Sequence, residues 1–100
     1  MKNIQEYKNF TSRVCELSGC EVKYLKTKIR KKEFVRARYL IIAYRIFVCG
    51  LSRANAASVF GIKRCTTYHI LKTIRLDYLT TEGYREMFSE IFEKYPMLVN

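Results

Sequence analysis

Residues 51–74 read LSRANAASVFGIKRCTTYHILKTI. Ser52 is a helix N-cap residue, able to accept from a backbone N–H that the first turn leaves without a partner. Ala56 and Ala57 are small where two helices must approach closely, and Gly61 supplies the backbone freedom of a sharp turn. Ile62 plugs the angle. Beyond it Thr67, Ile70, Leu71, Ile74 and Tyr78 recur at i, i+3, i+4, i+7 and i+11, the inner stripe of an amphipathic helix. The outer side carries Arg64, Cys65, Thr66, Tyr68, His69, Lys72 and Arg75. A short helix over 53–60, a turn at Gly61 and a helix over 64–78 make a helix-turn-helix, placed at about 52–78.

Upstream, residues 23–45 read KYLKTKIRKKEFVRARYLIIAYR, with nine basic residues and a single acid, Glu33. The first half cannot fold on itself, because its cations repel one another and bury nothing. The second half, Phe34–Val48, is apolar enough to demand a core position, so a basic loop at about 23–38 is tied to a buried helix over 32–49. Gly50 suits its left-handed terminator. An earlier helix over 4–18 places Ile4, Tyr7, Phe10 or Thr11, Val14 and Leu17 inward and ends near Gly19. Val22, Tyr24 and Leu25 suggest a short helical turn. The last helix, 82–95, buries Met87, Phe88, Ile91 and Phe92 and exposes an acidic side. No strand pattern appears. The expectation is an all-α single domain, 1–100, of five to six helices.

The net charge of +10 is segregated. Residues 46–75 carry five basic residues and no acid, whereas residues 76–100 carry two basic and five acidic ones. A cationic segment fixed to a rigid scaffold is a polyanion-binding surface, which points to nucleic acid. Lys28, Arg30, Lys31 and Arg53 should contact phosphates, with a merely solvated basic loop as the alternative. Arg64 and Thr66 are the best base readers, since arginine is the commonest partner of guanine edges. Tyr68 stacks on a sugar or packs at a dimer contact.

Other chemistries find little support. Cys15, Cys20, Cys49 and Cys65 have neither C-x2-C spacing nor a paired histidine, so no metal is expected, and no cofactor. No signal peptide is evident, which implies a reducing, cytoplasmic setting with free thiols. The apolar run is interrupted by arginines and too short to span a bilayer. His69 has no base or metal companion, and no nucleophile constellation presents itself, so enzyme activity is not expected.

The stretch EVKYLKTKIRKKEFVRARYLIIAY resembles the start of the C-terminal, duplex-binding domain of the bacterial replication initiator DnaA. Val22, Leu25, Lys26, Lys28, Arg30, Lys31, Val35, Ala37 and Arg38 fit that family's Val-x-x-x-x-Leu turn, Lys-rich loop and V-x-A-R helix start. The likeness runs through Leu51-Ser52 and Phe60-Gly61 to a tail, LTTEGYREMFSEIFEKY, similar to the family's terminal helix. It implies a DnaA C-terminal or Trp-repressor-like fold, with Arg38 in the minor groove and Arg36 close to a phosphate; pairing of Arg38 with Glu86 or Glu90 is the alternative.

The recognition helix departs from the family's G-G-R-D-H-T-T-V-x-H-A. A gapped register keeps the helical period and matches His69 to the later histidine. It puts Lys63 and Arg64 over the base-reading pair, so the base-reading set becomes Lys63, Arg64, Thr66 and His69, and the family's target sequence does not carry over. No Gly-rich phosphate loop is present. The resemblance implies double-stranded DNA binding in replication or transcription control, by a free-standing protein, a monomer in preference to a dimer, in a bacterial cell or phage-infected host. RNA binding, or a protein-interaction role through the acidic last helix, is the alternative.

Overall fold

In the computed structural model the described residues are 4–99, so the outermost positions of the 1–100 span lie outside them. The helices are α1 (Ile4–Ser18), α2 (Lys32–Phe47), α3 (Arg53–Ser58), α4 (Thr66–Thr80), α5 (Glu82–Met87) and α6 (Ser89–Lys94). Single 3-10 turns stand at Val22–Tyr24 and Pro96–Leu98. The described residues contain no strand, and the fold is all-α.

α2 holds the molecule together because its apolar residues leave it no solvent side in the middle. Ala37, Leu40, Ile41, Ile42 and Ala43 are wholly buried, and Tyr44 nearly so. α1, α3, α4 and the Pro96–Leu98 turn all pack on it. Tyr44 stacks on Phe10 of α1 at a centroid distance of 4.1 Å and meets Tyr95 edge-on at 5.3 Å. Burial and a hydrogen bond from its hydroxyl to Glu6 push the Tyr44 pKa up. A second aromatic group, Tyr78, Tyr84, Phe88 and Phe92, joins α4, α5 and α6.

Three glycines end helices in the left-handed conformation, among them Gly50 (φ 72°) and Gly61 (φ 68°). At Gly61 the closing bonds are Gly61 N to Ser58 O (3.0 Å) and Ile62 N to Ala57 O (3.1 Å), the double bond of a Schellman ending. Ser52 caps α3 by accepting from the Asn55 N–H at 3.2 Å.

Some sequence expectations shift. In α1 the buried stripe is Phe10, Val14, Cys15 and Ser18, while Ile4 is exposed. α3 ends two residues earlier than expected and α4 begins at Thr66, so the connection between them is longer than a lone turn at Gly61. The expected last helix over 82–95 is broken at Phe88 (φ −107°, ψ 22°). Its inward side chains run Tyr84, Phe88, Ile91, Phe92 and Tyr95, and Met87 falls outside that stripe and is exposed. Full burial of the Phe88 ring between Tyr84 and α6 outweighs one helical backbone conformation.

Candidate nucleic-acid interface

The basic loop leaves the Val22–Tyr24 turn and enters α2 at Lys32 without secondary structure of its own. Lys26, Lys28, Arg30, Lys31 and Lys32 are exposed, and no ion pair engages them among the described residues. Like-charged side chains of this density stay extended unless something tethers the backbone. Arg38 is that tether. Its Nε donates to the Leu25 carbonyl at 2.6 Å and its Nη2 to the Thr27 carbonyl at 2.9 Å. Burial lowers its pKa, and the residue is only 9% exposed, so little of the guanidinium reaches the surface. The alternative pairing with Glu86 or Glu90 is not what is found; Glu90 pairs with Arg13 instead.

Arg36, expected near a phosphate, also turns inward. Its Nε lies 3.7 Å from Asp77 of α4 and its guanidinium carbon 5.0 Å from the Tyr84 ring centroid. The side chain thereby bolts α2 to α4 and α5. Arg45 does the same for α3, donating from Nε and Nη2 to the carbonyls of Ala56 and Asn55 at 3.2 Å each. Nothing near Arg45 in sequence signalled that role, because its acceptors are backbone atoms of another element.

Around the α3–α4 connection the base-reading candidates lie close together in the chain. Lys63 and Arg64 stand exposed in the turn before α4, where Thr66 N bonds back to Lys63 O and Thr67 N to Arg64 O, each at 3.0 Å. Thr66 is half-buried in the first turn. His69 is exposed, and its Nε2 is 3.3 Å from Thr73 Oγ1 one turn on. Tyr68, Lys72 and Arg75 continue this outer side, and Leu76 and Leu79 end it as exposed apolar residues.

Arg53, a phosphate candidate at the start of α3, lies over Tyr68 with 4.3 Å between guanidinium carbon and ring centroid. Its Nη1 is buried without a hydrogen-bond partner, so the ring face is the compensation that cation has. The contact braces the two helices and holds Tyr68 half out in solvent; sequence spacing could not reveal it.

Among the described residues no group of three or more His, Cys, Asp or Glu could hold a metal ion. No helix among them is long and apolar enough to cross a membrane. Family models, curated proteins and solved structures were all compared with the chain, and none matches.

Proposed function

We propose that the chain is a double-stranded DNA-binding module. The first two turns of α4 and the turn before it enter the major groove, and the basic loop lies along phosphates beside it. One observation carries this reading. Among the described residues the exposed cations Lys26, Lys28, Arg30, Lys31 and Lys32 stand without acid partners, and the exposed cations Lys63, Arg64, Lys72 and Arg75 belong to a segment, 46–75, that contains no acid at all. The likeness of residues 21–44 to the DnaA duplex-binding domain supports the same reading.

In this account Lys28, Arg30 and Lys31 bind phosphates, Arg53 holds Tyr68 in place, and Lys63, Arg64, Thr66 and His69 face base edges. Arg36 and Arg38 act from inside, by fixing α2 against α4 and the loop against α2. A role in replication or transcription control, with no catalytic step, belongs to the same proposal.

The test is equilibrium binding to duplex, single strand and RNA in parallel at several salt concentrations. If about six of the open cations meet phosphates, log K falls against log salt with a slope near −5. Lys31→Ala flattens that slope by about one unit for every duplex, whereas Arg64→Ala costs about 1–3 kcal/mol on the best site and relaxes the selected motif there. A slope shallower than about −2, or tighter binding to single strands or RNA, overturns the reading.

A further inference from the structure

A cleft of about 560 Å³ opens between α1, the Val22–Tyr24 turn and the chain beyond α3. The apolar part of its lining is Tyr7, Val22, Leu25, Val59 and Phe60. Lys8, Lys23, Lys26 and Arg45 stand around it, and no carboxylate is among its lining residues. These cations are not equally available. Lys23 faces Glu21 at 3.3 Å, and Arg45 is bound to two carbonyls of α3. Lys8 and Lys26 are exposed and, among the described residues, engaged in no ion pair. Thr11, also in the lining, has a buried Oγ1 without a hydrogen-bond partner.

Pockets of this size, apolar with a few convergent polar groups, are where small organic molecules bind. An apolar lining beside unpaired ammonium groups selects a body that gives up water readily and one headgroup that carries negative charge. A nucleic-acid backbone offers no apolar body, and inorganic phosphate would leave the apolar lining wet. We propose that this cleft binds a small organic anion, its aromatic or acyl body against Val59 and Phe60 and its carboxylate, sulfonate or phosphate held by Lys8 and Lys26.

The site touches both segments that the proposed function puts on DNA. The carbonyl of Leu25 is one of the two acceptors that hold Arg38, Lys26 opens the basic loop, and Phe60 belongs to the α3–α4 connection. The coupling therefore rests on the DNA-binding reading, while the site itself does not. An occupant that neutralises Lys26 withdraws one cation from the duplex, and the salt slope of DNA binding becomes shallower by about one unit.

The full chain is titrated, without DNA, with 1-anilinonaphthalene-8-sulfonate, decanoate and inorganic phosphate, and followed by amide chemical shifts. The expected result is one naphthalenesulfonate or decanoate per chain, with shifts at Thr11, Val22, Leu25 and Phe60, and none with phosphate. The two organic probes distinguish an aromatic from an acyl body. Val22→Asp, at an exposed position, should weaken binding by about tenfold or more by placing a like charge in the cleft. Lys26→Glu is the second variant should Val22→Asp fail to fold. Absence of binding, shifts centred elsewhere, several probes per chain, equal binding of phosphate, or insensitivity to both variants overturns the proposal. So does self-association of the chain that Val22→Asp abolishes, since the cleft would then be a contact between copies. Failure of the chain to bind duplex would remove the coupling and leave the probe titration to decide the site.

Discussion

Arg38 decides how a run of like charges becomes a fixed surface. Its planar fork reaches two carbonyls that lie two residues apart in the loop, which a single ammonium cannot do in the same geometry. Arg38→Ala should cost about 1.5–3 kcal/mol, because a charged donor is lost and two acceptors are left to find water. Arg38→Lys should recover only part of it. Chemical denaturation gives the stability, and titration against A·T-rich and G·C-rich duplexes gives the consequence for binding. A tether predicts equal weakening of both; a loss confined to A·T-rich duplexes would return Arg38 to the minor groove. Arg36 and Arg45 repeat the pattern, each joining α2 to a neighbour, so three arginines of the basic stretch are spent on architecture. The lysines around them, with long flexible stems and strongly hydrated heads, remain for solvent and ligand.

Among the helices α2 carries more of the burial than any other. Ile42→Ala should destabilise the protein by about 2–4 kcal/mol through the cavity it leaves, with a smaller loss at half-buried Ile46. A thermal midpoint unchanged by Ile42→Ala would mean that α2 is not the centre of the core. The join of α1 to α6 is of a different kind. Arg13 grips Glu90 with two hydrogen bonds, Nε to Oε2 at 2.8 Å and Nη2 to Oε1, and the Arg13 bond holds the Glu90 carboxyl below its ordinary 4.5. A carboxyl with a lower pKa folded than unfolded stabilises fully above its unfolded value, and that stability is lost as pH falls through the folded one. Glu90→Gln should therefore narrow the difference in denaturation midpoint between about pH 6 and about pH 3, while changing little of the hydrophobic part. The pair is exposed, so its contribution at neutral pH is small.

Across the whole molecule the thiols report how well the core is closed. Cys15 is 2% exposed, and burial, with Cys20 nearby, pushes its pKa up to about 11, so the thiolate is scarce at neutral pH. Cys20 is buried as well, whereas Cys65 stands exposed just before α4. A thiol-reactive disulfide reagent should modify Cys65 promptly and reach Cys15 and Cys20 only as the protein opens, at rates that rise with denaturant. Prompt labelling of Cys15 in the native protein would contradict the packing of α1 on α2. If duplex DNA covers the start of α4, it should slow labelling of Cys65 alone. Charge is uneven too: exposed cations crowd the loop and the outer side of α4, whereas α5 and α6 carry the exposed acids Glu82, Glu86, Glu90 and Glu93.

The helical class, the central place of α2, the Ser52 cap, the turn at Gly61 and the inner stripe of α4 were legible in the amino-acid sequence. Each is a local matter: a cap, a left-handed glycine and a period of 3.6 residues are satisfied by groups within a turn or two of one another. The break at Phe88 was not, because it depends on how rings from three helices share one space. Nor was the fate of the cations. The sequence sent Arg30, Arg36 and Arg38 toward DNA and assigned Arg45 nothing, and only the path of distant backbone decides which arginine finds an acceptor inside. The cation of Arg53 over Tyr68 has the same origin. Sequence thus determined which segments are helical and where charge is dense; tertiary structure decided which charges remain open, because a guanidinium's partners are set by what the fold brings beside it.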